Sequence, residues 1–116
     1  MERVSLPVLI TPLGELEHVN AVRLRLFRKE MSMAEARAVN AAFRADLEGG
    51  VYALRAPPGE VFTRANQLAA KFTARLGTRS LDILHVAAAI VLRADAFHTF
   101  DDRQRKLAKA AGLAVI

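Results

Sequence analysis

Apolar residues recur along this chain at helical spacing in several stretches, and in one stretch they run on almost without interruption. From Ile83 to Leu92 every position is apolar except His85. Ser80 stands where an N-cap belongs and Asp82 falls in the first turn, so the segment predicts a helix. A helix apolar nearly all round is a buried one, and a sheet is the surface expected to cover it. Ala94 to Phe100 then reads as a short strand, with Asp101 where that strand ends and a further helix begins.

The rest of the chain supplies the other elements. Val4 to Ile10 is an apolar, β-branched run interrupted by Pro7, as in a strand that takes Pro near its start or on an edge. Thr11, Pro12 and Gly14 read as a turn. From Glu15 to Lys29 the positions Leu16, Val19, Val22 or Arg23, Leu26 and Phe27 keep helical spacing. Ser32 and Glu35 have the spacing of a capping box, and the helix they open carries Ala36, Val39, Phe43 and Leu47 and stops at Gly49-Gly50. A connection this short folds the two helices into a hairpin. Val51 to Ala56 is a second strand candidate, and Pro57-Pro58-Gly59 breaks the chain before a helix with the stripe Val61, Ala65, Leu68, Phe72 and Leu76, ended by Gly77. After the buried helix and the strand beyond it, Asp102 to Ala111 predicts a basic helix, and Leu113 to Ile116 a terminal strand.

The order is therefore strand, helical hairpin, strand, two helices, strand, helix, strand. Such alternation predicts an α/β fold: a parallel sheet with helices on both faces, a three-layer sandwich built as one domain over residues 1–116. No repeat, linker or low-complexity segment divides the chain.

Composition narrows the chemistry. There is no cysteine, which excludes disulfides, thiolate metal sites and cysteine nucleophiles. The run at Ile83 is too short to span a bilayer, and Met1 to Gly14 lacks the layout of a signal peptide, so a cytoplasmic protein without a membrane partner is expected. The net charge is +5, with basic residues clustered at Arg23, Arg25, Arg28 and Lys29, at Lys71, Arg75 and Arg79, and at Arg103, Arg105, Lys106 and Lys109. That balance suits a polyanionic partner, nucleic acid or an acidic protein, and equally a solvated helix surface. With six Phe, one Tyr and no Trp, the chain lacks the aromatic series of a general single-strand binder.

Three acids stand at related places in this pattern. Glu17 lies early in the helix after the first strand, Asp82 at the start of the apolar helix, and Asp101 at the end of the third strand. In a parallel α/β sheet these places share one edge, so the three carboxylates are expected to converge. Convergent carboxylates need a cation, and hard oxygen donors select Mg²⁺ or Mn²⁺, which can activate water and stabilise a phosphodiester under attack. Each acid also has a structural reading: Asp82 and Glu17 suit the positive end of a helix dipole, and Asp101 suits an N-cap. Glu15 competes with Glu17. His85, alone in an apolar helix, reads as a core residue and not as a ligand.

These residues resemble a known family. Ser80-Leu81-Asp82-Ile83-Leu84-His85-Val86-Ala87-Ala88-Ala89, then Ala94-Asp95-Ala96-Phe97 and Thr99-Phe100-Asp101, then Ala108 to Val115, are similar to the C-terminal half of PIN domains, particularly the VapC-like toxins of type II toxin–antitoxin pairs. Glu17-His18-Val19-Asn20-Ala21 is similar to the acidic helix motif of that family and favours Glu17 over Glu15. The resemblance spans the chain, specific in its last third and carried by pattern in the middle helices. It implies a PIN-like sandwich and a metal-dependent ribonuclease cutting RNA by attack of water on phosphorus. It also implies inhibition by a cognate antitoxin, and a homodimer as the common assembly. By position, Glu17, Asp82 and Asp101 match three acids of such sites, as catalytic residues and as ligands of Mg²⁺ or Mn²⁺, and Thr99 matches a small polar position beside the last.

One departure separates this sequence from the family pattern. PIN domains open with a central strand that carries the first acid, whereas here Met1-Glu2-Arg3 leads directly into Val4 to Ile10. Three accounts stand open: a fragment or mis-started form of a longer enzyme, a degraded relative folded through dimerisation or strand exchange, or a minimal sheet in which Val4 to Ile10 takes the central place. The activity expected is metal-dependent RNA hydrolysis. The alternative is a catalytically incomplete module whose helical hairpin, Glu15 to Glu48, binds RNA, an antitoxin or a second copy.

Overall fold

A computed structural model of the protein describes residues 7–116. They fall into two compact units, one ending at Ala56 and the other Pro57–Ile116.

The first unit is a helical hairpin between two short strands. β1 (Val8–Ile10) leads into α1 (Pro12–Phe27), α2 (Met33–Glu48) and β2 (Tyr52–Leu54). The expected turn at Thr11 to Gly14 is instead the start of α1. Thr11 is its N-cap, with Oγ1 accepting the Gly14 N–H at 3.0 Å, and Pro12 fills the first helical position, where no N–H is needed. Gly14 has a packing reason, since a Cβ there would lie 3.2 Å from the Ile10 side chain. The capping box of α2 forms as its spacing predicts, Glu35 N–H donating to Ser32 Oγ at 3.1 Å and Ser32 N–H to Glu35 Oε1 at 3.2 Å. His18, early in α1, stacks on Phe43, late in α2, with ring centroids 4.1 Å apart, and Phe43 in turn meets Tyr52 of β2. β1 and β2 pair in parallel, Val8 opposite Tyr52 and Ile10 opposite Leu54, flanked by Val8 N–H to Val51 O at 2.9 Å and Arg55 N–H to Ile10 O at 2.8 Å. Val22 and Ala36 are the residues of this unit that reach full burial among those described.

The second unit holds the larger core and is built of helices. α3 (Glu60–Leu68) passes through a π turn at Ala69–Thr73 into α4 (Ala74–Leu76), followed by α5 (Ser80–Val91) and α6 (Asp102–Ala110). The stripe from Val61 to Leu76 repeats a little more widely than the ~3.6 residues of an α-turn. A wider π turn brings it back into phase, and Val61, Ala65, Leu68 and Phe72 all stay buried. They pack with Ile83, Val86, Ala87 and Ala88 of α5 and with Leu107 and Ala108 of α6. Gly77, at φ +65°, turns the chain out of α4, and Thr73 and Thr78 pin that corner through a 2.7 Å hydroxyl pair.

This architecture corrects the expected one. The described residues are mainly helical and form no three-layer α/β sandwich of the PIN-like kind. Their sheet is the two-stranded pair β1–β2. The expected strand at Ala94 to Phe100 and the terminal strand reduce to one parallel bridge between Phe97 and Val115, with Phe97 N–H donating to Ala114 O at 2.7 Å and Ile116 N–H to Phe97 O at 3.0 Å. The physical reason lies in α5. An apolar helix demands burial without specifying the covering surface, and α3 and α6 cover it here, their contacts made close by Ala65, Ala87, Ala88 and Ala108. Strand candidates this short hold a ladder only when partners flank them, and one bridge is all that Phe97 obtains among the described residues. Of the first predicted strand, Val4 to Leu6 lie outside the described residues. Ser80 opens α5 as its first residue, and the N-cap is Arg79.

Candidate functional site

Two of the predicted acids meet in the second unit, and an arginine joins them. Asp82 is the third residue of α5, where a carboxylate can reach back to the orphan amide of the residue before the helix. It does so: Arg79 N–H donates to Asp82 Oδ2 at 3.1 Å, and Arg79 Nε donates to the same oxygen at 3.2 Å. Asp82 is 1% exposed, among the most completely buried side chains described. Asp101 is the N-cap of α6, Oδ1 accepting the N–H groups of Arg103 at 2.8 Å and Gln104 at 3.2 Å. Its other oxygen, Oδ2, accepts Arg79 Nη2 at 3.3 Å. One guanidinium thus spans both carboxylates, two negative charges about one positive.

A polar network holds this pair from behind. The Asp101 N–H donates to Thr99 Oγ1 at 3.0 Å, and the Thr99 hydroxyl donates to Gln104 Oε1 at 2.9 Å. The Gln104 side chain also hydrogen-bonds the Asp82 carboxylate. Arg105 Nη2 donates to the Thr99 carbonyl at 3.0 Å. Thr99 is itself buried, so the last loop before α6 is fixed by polar groups in place of strand pairing, with Arg105 Nε buried there without a hydrogen-bond partner among the described residues.

The balance of forces on Asp82 leaves it charged. Burial pushes its pKa up, but the hydrogen bonds from the Arg79 side chain, the Arg79 amide and Gln104, with the Arg79 charge, outweigh burial and hold the carboxyl below its ordinary value. The cation that this buried carboxylate holds is the Arg79 guanidinium.

Glu17 belongs to the first unit, in α1, where it is partly buried. The structure therefore joins Asp82 to Asp101 within one unit and places Glu17 in the other. Among the described residues no group of three or more His, Cys, Asp and Glu is arranged to hold a metal ion. His85 lies in α5, partly buried. Sequence reasoning missed Arg79 as the bridge and Gln104 as the support. The signal for Gln104 was present in Asp101-Asp102-Arg103-Gln104, an N-cap followed three residues on by Gln, which is capping-box spacing. Nothing in the spacing of Arg79 distinguished it from the other basic residues.

Among the described residues no helix is long and apolar enough to cross a membrane. No family model, curated protein or solved structure matches the chain.

Proposed function

We propose that this protein is a metal-dependent ribonuclease, of the kind found as the toxin of toxin–antitoxin pairs, that hydrolyses RNA phosphodiesters with Asp82 and Asp101 at the core of its cation site. The observation that carries the reading is the pair itself, two carboxylates from successive helix N-termini sharing one positive charge. Their donor set fits Mg²⁺ or Mn²⁺: the oxygens are hard, and Mg²⁺ commonly takes only one or two carboxylates and keeps its waters. When bound there, such a cation supplies water activation and charge neutralisation at the phosphate. The chain's own residues do the rest. Asp82 stays ionised in the core, Asp101 is aimed by the first amides of α6, and Arg79, bonded to both carboxylates with its side chain 60% exposed, presents positive charge to a phosphate. The basic residues Arg103 and Lys106 of α6 add phosphate contacts.

The test is cleavage of a short single-stranded RNA by the full chain with Mn²⁺, against Asp82→Asn and Asp101→Asn. Cleavage by the parent and a loss of at least about 100-fold in either variant is expected, as for removal of a group that acts only in the transition state. Equal rates in parent and variants would dismiss the assignment.

A second reading, a non-catalytic module that binds an antitoxin or a second copy, is favoured by a separate observation. The hairpin of the first unit leaves Leu16, Phe27 and Met33 exposed, Phe27 at 83%. Apolar side chains left exposed across both helices of a hairpin suit an interaction surface.

A further inference from the structure

Phe100 is the most exposed large apolar residue described, at 91%, and it directly precedes Asp101. Its position is not that of a loose loop tip. Thr99 before it is buried and bonded at both its hydroxyl and its carbonyl, and the Asp101 amide after it is bonded to Thr99. The backbone therefore holds the ring out into water. His98 braces it edge-on, with centroids 5.1 Å apart and planes at 63°, which leaves a face of the phenyl ring open. Cations stand on both sides in the chain: Arg79 is bonded to the Asp101 carboxylate, and Arg103 is exposed in the first turn of α6.

We infer that Phe100, braced by His98, is a stacking platform for one nucleobase of a single-stranded RNA lying across the Asp82–Asp101 pair. The inference deepens the proposed ribonuclease reading, resting on its assignment of RNA as the polymer at this site. The chemistry follows from what the ring offers. A fixed open aromatic face takes any base by its π-surface, while Arg79 and Arg103 take the phosphates on either side of that nucleotide. A single platform also agrees with a sequence too poor in aromatics for general single-strand binding. It would set one base in place beside the carboxylates and leave the rest of the strand to be held by charge.

The experiment is binding of a short single-stranded RNA containing one 2-aminopurine to the full chain in EDTA, followed by anisotropy and by 2-aminopurine quenching. Phe100→Ala should weaken binding about 5- to 100-fold and abolish the quenching, in line with the known worth of one base–aromatic stack. Phe100→Trp should restore both, and the dependence of affinity on salt should be the same in all three proteins, because the phosphate contacts are untouched. Phe62→Ala, at another exposed phenylalanine, should bind as the parent does. Binding by Phe100→Ala within twofold of the parent, or full binding by Phe100→Leu, would overturn the platform, the latter by showing an apolar contact in place of a stack. Absence of RNA binding by the parent would overturn it as well. Cleavage with Mn²⁺ is read separately. Cleavage together with unimpaired Phe100→Ala binding removes the platform alone, and quenched binding without cleavage removes the hydrolysis reading and leaves the platform standing.

Discussion

At the scale of single residues, Asp82 stands out as a carboxylate buried among donors. Its oxygens accept from Arg79 and Gln104 in a setting almost closed to solvent, and its pKa is lowered despite that burial. A carboxyl with a lowered native pKa adds stability that is complete above the unfolded pKa of about 3.9 and is lost as the pH falls through the native value. The stability gap between the parent and Asp82→Asn should therefore be constant from neutral pH down to about pH 4 and close below it. Urea unfolding at stepped pH measures this, and a gap that persists unchanged to pH 2 would contradict the ionised state assigned to Asp82. Asp82→Ala should cost about 1–3 kcal/mol at neutral pH, since it strands the Arg79 and Gln104 donors it served. The helix-start positions of two of the acids were legible in the sequence. Asp82 and Asp101 could be picked out because each stands at a helix start, and helix starts announce themselves through caps. Arg79 could not, because a basic residue beside a helix has many outlets and only the fold selects one.

At the scale of elements, the helices were legible and their partners were not. The capping box at Ser32, the break at Pro57-Pro58-Gly59 and the stripe from Val61 to Phe72 all mark real helices, because caps and periodicity are local signals. What α5 packs against is a non-local matter. An all-apolar surface serves a sheet or two helices equally well, and the alanines of α5 and α6 tip it toward close helix contact. The strand pattern at Ala94 to Phe100 misled for the same reason: alternation shows that a segment could pair, while pairing itself needs neighbours. Leu107, at 0% exposure, is the residue through which α6 closes this core. Leu107→Ala should cost about 2–5 kcal/mol in thermal or urea unfolding, the range for a buried leucine that leaves a cavity. Leu81→Ala, on the exposed side of α5, should stay within about 0.5 kcal/mol of the parent. Equal losses at the two positions would mean that α5 is covered on the other side as well, as a sheet would cover it.

At the scale of the whole molecule, the two units differ in how far each buries its own apolar surface. The second has a contiguous core shared by α3, α5 and α6, whereas the first buries Val22 and Ala36 and leaves Leu16, Leu24 and Phe27 of α1 exposed. Uncovered surface of that kind gains roughly 25 cal/mol per Å² when it is removed from water, so a second copy or a protein partner is the expected cover. Arg23 and Arg25 share the C-terminal half of that helix with Leu24 and Phe27, and Arg28 caps it, so two such ends brought together would set like charges close to one another. Self-association through α1 should therefore strengthen as salt rises, because screening weakens the repulsion while the apolar gain remains. An acidic partner would show the opposite dependence. Sedimentation of the full chain across a concentration series, at low and at high salt, should show a dimer that tightens with salt and that Phe27→Glu dissociates. A chain that sediments as a monomer throughout, unaffected by Phe27→Glu, would remove the second copy as the cover. The hairpin would then be left to a partner of opposite charge.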